Sequence, residues 1–246
     1  MRIAALAVCL LALAPPPALA QSPVTQRPLP ADFVHLRAVD PSIAQDIRYA
    51  GSDNFIGRPL AGYKAAACIL RREVALALAR VQADLAAFGL GLKVYDCYRP
   101  ERAVRQMVQW TQDGGAGGKR FHPRVEKRSL LDGYISARSL HSAGIAVDLT
   151  LIEKGARSAS SRPVVVSPCN AAGREDGGSV DMGTGYDCLD PDSETRSPSA
   201  DPAQRRWRMT LLAAMEKRGF KNYHREWWHF SFPVAGDAAF YDFPVR

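Results

Sequence analysis

The sequence predicts an α+β fold, a single compact domain built mainly of antiparallel sheet with flanking helices. Three observations carry that reading. The chain has 246 residues, 47% of them hydrophobic and 23% charged, an ordinary globular composition that excludes disordered, collagenous and coiled-coil chains. It shows no repeat and no internal linker, and a chain this long buries roughly three quarters of its unfolded surface without help from disulfides. Finally, helices and strands follow one another without the short regular period of a doubly wound fold. The formal charge of +7, from 32 Lys plus Arg against 25 Asp plus Glu, is mildly basic. No basic block interleaved with aromatics accompanies it, so no nucleic-acid partner is expected.

The elements read in order. Arg2, the apolar run 3–14 and Ala18-Leu19-Ala20 form the pattern of a signal peptide over residues 1–20, cleaved near Ala20. A run of that length is shorter than the about 20 residues a membrane-spanning helix needs, and no later segment is longer and as apolar. An exported, periplasmic or secreted protein without a transmembrane segment is expected. Residues 21–34, with Pro23, Pro28 and Pro30, read as a flexible leader ahead of a domain over 35–246. Val74, Leu78, Val81 and Leu85 recur at helical spacing and predict a helix over 71–88, stopped by Gly89. A strand over 92–98 follows, then a helix over 100–110 with Pro100 in its first turn, and a glycine-rich loop over 111–119. Residues 145–152 alternate as a strand, with Ile145, Val147, Leu149 and Leu151 on one face and Ala146, Asp148 and Thr150 on the other. The stretch 156–185 is rich in Ser, Gly and Asp, with Val164 to Val166 as its apolar run. A helix over 205–218 closed by Gly219 and a strand over 227–232 before Pro233 complete the chain.

Removal of the signal takes Cys9 and leaves Cys68, Cys97, Cys169 and Cys188, an even number in an oxidising compartment. Cys68 and Cys97 flank one helix and strand, and Cys169 and Cys188 flank a Gly-rich loop. Pairing within each couple is the expected one of three connectivities. A zinc-finger reading fails, because no two cysteines have C-x-x-C spacing.

Three segments carry candidate chemistry. In the first, His141 sits in a turn ahead of Asp148 on the polar face of a strand. A carboxylate set there needs a partner, and zinc shared with a neutral imidazole supplies one; the alternative is a solvated strand-edge aspartate with an unrelated histidine. In the second, Glu226 precedes His229 by three residues, offering a general base and a third ligand for a hydrolytic zinc site. On a flat strand these two face opposite sides, so Glu226 must lie in the turn before the strand or at a bulge. The alternative pairs Glu226 with Arg225 and buries His229 in the core. In the third, Arg99 stands between a strand and the Pro100 helix, placed to stabilise an oxyanion or clamp a carboxylate, or simply to pair with Asp96.

Together these segments resemble the VanX-type D-alanyl-D-alanine dipeptidases of zinc peptidase family M15. The resemblance rests on His141 with Asp148, Glu226-Trp227-Trp228-His229 and Tyr98-Arg99-Pro100. It extends through residues 46–54 with Asp53-Asn54-Phe55, Gly62-Tyr63, Met182-Gly183 followed by Asp187, and 241–245, in order over nearly all of the mature chain. It implies one Zn2+ per chain on His141, Asp148 and His229 in a cleft, Glu226 as catalytic base, Arg99 as transition-state stabiliser, and Ser139, Asp187 and Tyr49 lining a dipeptide site. The activity implied is zinc-dependent hydrolysis of D-Ala-D-Ala to two D-alanines, in turnover or scavenging of peptidoglycan dipeptides, with no obligatory protein partner. Two alternatives are a periplasmic zinc D,D-carboxypeptidase acting on peptidoglycan stem peptides and a non-catalytic zinc-stabilised binding module. The chain departs from the family at Cys97, where a glycine usually precedes Tyr-Arg-Pro, and in a longer stretch between Asp148 and Met182.

Overall fold

The structure, a computed structural model, describes residues 29–115, 117–154, 167–172, 174 and 177–246. The expected signal peptide over 1–20, the leader as far as residue 28 and the run Val164 to Val166 lie outside the described residues.

The chain opens with β1 (Phe33–His35) and a single turn of helix, α1 (Leu36–Val39), followed by β2 (Ala44–Gln45), β3 (Ile69–Arg71) and α2 (Arg72–Ala86). Then come β4 (Leu90–Asp96), α3 (Glu101–Gln112), β5 (Ala146–Glu153), α4 (Pro202–Glu216), β6 (Lys221–Asn222) and β7 (His229–Ser231). The principal sheet has the order β2-β4-β5-β7-β6, and β1 and β3 form a separate pair. All pairings are antiparallel except β2 with β4. The α+β reading therefore holds.

Each long element forms for the reason its pattern suggests. In α2 the predicted stripe Val74, Leu78, Val81 and Leu85 is buried, and Gly89 follows with φ +72°, which only glycine adopts cheaply. Gln82 ties the helix to the sheet by accepting from the Leu92 backbone N–H at 2.8 Å. Every residue of β4 is buried, as its central place requires. In β5 the polar face is covered as well: Ala146, Asp148 and Thr150 are as buried as the apolar set, so Asp148 has no solvent to rely on.

Several boundaries move. The helix expected over 205–218 begins at Pro202, because Asp201 and Gln204 form a capping box that saturates the first-turn N–H groups. The strand expected over 227–232 shrinks to His229–Ser231, and Trp227 and Trp228 occupy the preceding turn. The leader expected over 21–34 ends early: Phe33 pairs with Arg71 and packs edge-on against Tyr98, Tyr241 and Phe243. The packed domain thus starts before residue 35. Cys68 bonds Cys97 and Cys169 bonds Cys188, which is the within-couple pairing.

Gly144 joins the 3-10 turn Leu140–Ala143 to β5 with φ +68°. A Cβ there would lie 2.2 Å from Phe33 Cε1. Left-handed strain and this overlap together are expected to cost Gly144→Ala about 2–5 kcal/mol. Urea unfolding monitored by tryptophan fluorescence checks it, and an unchanged midpoint would contradict the packing described.

Candidate functional site

A β-bulge between Val94 and Asp96 resets the β4–β5 register so that Asp96 lies opposite Asp148, and Asp148 lies opposite His229 on β7. Three adjacent strands thus place one polar residue each on a single rung. His141 reaches the same point from the turn before β5. Ser139 caps that turn, its Oγ accepting the His141 N–H at 3.3 Å, and the His141 ring Nδ1–H donates to the Cys97 carbonyl at 2.7 Å. A carbonyl only accepts, so this bond leaves Nε2 of the neutral ring free as a lone pair.

The ligand-type atoms converge. His141 Nε2 is 3.2 Å from His229 Nδ1 and 3.2 Å from Asp148 Oδ1, and His229 Nδ1 is 2.9 Å from Asp148 Oδ1. A tetrahedral zinc site with bonds of about 2.0–2.1 Å has edges of about 3.3 Å between donors. Two imidazoles and a carboxylate at these separations fit that ion. Burial holds the His229 pKa below its ordinary value, with Asp148 opposing, and so favours the neutral ring a metal requires.

Glu226 lies in the turn, as the i to i+3 spacing demanded. Its N–H donates to the Tyr223 carbonyl at 2.9 Å, and its own carbonyl accepts from His229 N–H at 3.2 Å. The carboxylate is buried, with Oε2 3.9 Å from His229 Nδ1. Burial raises its pKa well above the usual carboxylate range, Asp148 and Asp187 add to this, and Arg99 opposes it.

Arg99 makes the pair with Asp96 that one of its two readings expected. Its Nε donates to Asp96 Oδ2 at 2.8 Å and its Nη2 to Asp148 Oδ2 at 3.4 Å, while Nη1 meets only the Met107 sulfur at 3.6 Å among the described residues. Thioether sulfur is a weak acceptor, so Nη1 keeps donors for another oxygen. Asp187 adopts φ +58° and accepts from the Tyr49 hydroxyl at 3.0 Å through Oδ1. Its Oδ2 is buried without a hydrogen-bond partner among the described residues. Burial, then Asp148, pushes its pKa up to about 8, against the Tyr49 bond and Arg99.

Tyr49, Arg99, Ser139, His141, Asp148, Asp187, Glu226 and His229 all line one cavity of about 550 Å³. Of the supports behind them, sequence reasoning reached only Asp96, as a partner of Arg99. Asp96 takes bonds from Arg99 and from the Tyr63 hydroxyl at 2.6 Å, and Tyr186 donates to Asp148 Oδ2 at 3.1 Å. Asn222 Nδ2 bridges the Glu226 and His229 carbonyls, each at 3.0 Å. Only Asp96 had a signal, its position three residues before Arg99.

Known proteins resemble this chain over most of its length. The peptidase M15 family model, described as D-ala-D-ala dipeptidase, matches residues 30–160 and 169–246. A D-alanyl-D-alanine dipeptidase of Streptomyces coelicolor is 32% identical over 221 residues, covering 87% of this chain and 98% of the relative. Proteins of that name from Enterococcus faecalis and Escherichia coli are 31% and 30% identical, covering 80% and 83% of this chain and 90% and 86% of the relatives.

The Asp96 contacts generate a prediction. Its carboxylate is fully buried and makes the nearer of the two ion pairs of Arg99, so Asp96→Ala leaves a largely buried guanidinium with only the longer contact to Asp148. Removing one partner of a buried pair typically costs about 3–5 kcal/mol. Denaturant titration of the variant should show a loss of that order; a loss under about 1 kcal/mol, the range of a surface pair, would show that solvent reaches Arg99.

Proposed function

The chain belongs to the peptidase M15 family and is a metallopeptidase; on that premise we propose that it hydrolyses the free dipeptide D-Ala-D-Ala to two molecules of D-alanine with one zinc ion per chain. The names of the relatives support the substrate, and the donor triangle of His141, Asp148 and His229 supports the metal. Zinc held by these three residues would supply a positive charge that polarises the scissile carbonyl and its attacking water and favours the ionised form of Glu226.

The chain's own groups do the rest. Glu226 takes a proton from the water as its oxygen attacks the carbonyl carbon, and returns that proton to the departing amine when the C–N bond breaks. Arg99 Nη1 donates to the carbonyl oxygen as negative charge develops there. Asp148 and Asp96 hold the guanidinium in place for that task. Tyr49 holds the Asp187 carboxylate at the cavity wall, and Ser139, whose Oγ accepts from the His141 backbone, keeps its own proton to donate to substrate.

The observation that carries the dipeptidase reading over a carboxypeptidase is the unpartnered Asp187 Oδ2. A buried carboxyl with one free oxygen and a raised pKa calls for a cation, and the ammonium of a free dipeptide supplies it close to the reacting bond. An acyl group on that nitrogen removes the charge and fills the space. Two disulfides and the N-terminal sequence pattern support export to an oxidising compartment, and no helix among the described residues is long and apolar enough to cross a membrane. The proposed role is therefore to consume dipeptide released by wall turnover.

Two predictions follow from these roles. The mature protein should carry about one zinc per chain, lost in His141→Ala and retained in Glu226→Ala, whose kcat should fall about 100- to 10,000-fold. Metal analysis and steady-state kinetics check this, and near-normal turnover of Glu226→Ala would remove it from the mechanism. Free D-Ala-D-Ala should be preferred over its N-acetyl form about 10- to 100-fold, the range for a hydrogen bond to a charged group, because acylation removes the ammonium that answers Asp187. Asp187→Ala should narrow the gap by slowing the free dipeptide. Equal rates on the two substrates would favour the carboxypeptidase.

A further inference from the structure

A zwitterionic dipeptide brings a carboxylate as well as an ammonium into the cavity, and Asp187 answers only the ammonium. Among the lining residues the cations are Arg99 and Arg138. Arg99 is engaged by Asp96 and Asp148 and is set beside the reacting bond. Arg138 has no carboxylate partner among the described residues. Its guanidinium rests on the Phe240 ring, 4.4 Å from the centroid, a contact that holds a cation in place without neutralising it. Its backbone is clamped on both sides: the Arg138 N–H donates to Ser136 Oγ at 3.2 Å and the Ser136 hydroxyl donates to the Arg138 carbonyl at 2.7 Å.

Position in the chain matches the need. Arg138 directly precedes Ser139, the cap of the turn that carries His141, so its Cα lies within about 11 Å of that of His141. In a dipeptide the terminal carboxylate is one residue beyond the scissile carbonyl, a span that an arginine side chain reaches. Asp187 is tied to Tyr49, whereas Arg138 rests on Phe240 of the C-terminal segment, so the two charges are held by different parts of the chain.

We propose that Arg138 is a specificity-determining residue that pairs with the C-terminal carboxylate of the substrate. The inference rests on the peptidase reading above and deepens it: Asp187 reads the amino end, Arg138 the carboxyl end, and the hydrolysed bond lies between them.

The test compares wild type, Arg138→Gln and Arg138→Lys on D-Ala-D-Ala and its C-terminal amide, and on the same pair carrying an N-acetyl group. The wild type should prefer the free acid. Arg138→Gln should raise KM for the acid about 10- to 100-fold, the range for a hydrogen bond to a charged group, with kcat and the amide kinetics little changed. Arg138→Lys should recover part of the loss. Equal losses on acid and amide, or an unchanged KM for the acid, would overturn the assignment, since a purely structural contact with Phe240 has no reason to distinguish them. A wild type active on the N-acetyl pair alone would overturn the dipeptidase reading, and the acid-to-amide comparison on that pair would then decide Arg138 independently. Inactivity on all four compounds would overturn both.

Discussion

The burial of the Asp148 carboxylate in the middle of the sheet is the constraint from which the rest of the site follows. A carboxylate this far from water is costly unless every lone pair finds a partner, and Asp148 finds four. Oδ1 faces His141 and His229, and Oδ2 takes Tyr186 and Arg99. Burial alone would raise its pKa, but His141 and His229 more than offset that and hold it below the usual carboxylate range. The same contacts that stabilise the ion orient both imidazoles and the guanidinium, so the fold's answer to an electrostatic problem is also the geometry of the centre.

The second layer obeys the same logic. Arg99 is itself largely buried, and its pKa is raised because Asp96, Tyr49, Tyr63 and Asp148 outweigh the cost of desolvation. Asp96 in turn draws on Tyr63 and lies 3.5 Å from His141 Nδ1. Of the two readings of Arg99 that competed in the sequence, the pairing with Asp96 is present, and it does not exclude the proposed oxyanion donor. The Asp96 contact aligns the guanidinium and leaves Nη1 with only the Met107 sulfur among the described residues.

What was legible in the sequence was periodic or local. The α2 stripe, the alternation of β5 and the placement of Glu226 ahead of β7 all follow from spacing, because each depends on neighbours within a turn or along one strand. What stayed hidden depends on pairing across the fold. The bulge that sets Asp96 against Asp148 has no residue signature of its own, since Tyr95 is an ordinary strand residue. The two- and three-residue strands β1, β2, β3 and β6 are too short for a period, and their existence rests on partners far away in sequence. Asn222 clamps the Glu226 turn through two carbonyls, with its own Oδ1 accepting from Thr195, a role that only the closed turn reveals. The left-handed backbone of Asp187 is equally silent, since aspartate populates that region only several-fold more than most residues.

The cysteines tie that arrangement to the rest of the chain at two points. Cys97 stands two residues before Arg99 and lends its carbonyl to His141; Cys188 directly follows Asp187. Each disulfide therefore anchors the backbone at one wall of the cavity, one behind the proposed metal ligand and the other behind the proposed ammonium reader. With sequence separations of 29 and 19 residues, each lowers the entropy of the unfolded chain by an amount equivalent to about 3–4 kcal/mol on the loop-closure argument. That stabilisation acts where strain and buried charge are concentrated, at the bulge after Val94 and at the positive φ of Asp187. In the oxidised state the two bonds reinforce the stretches of backbone that carry Arg99 and Asp187.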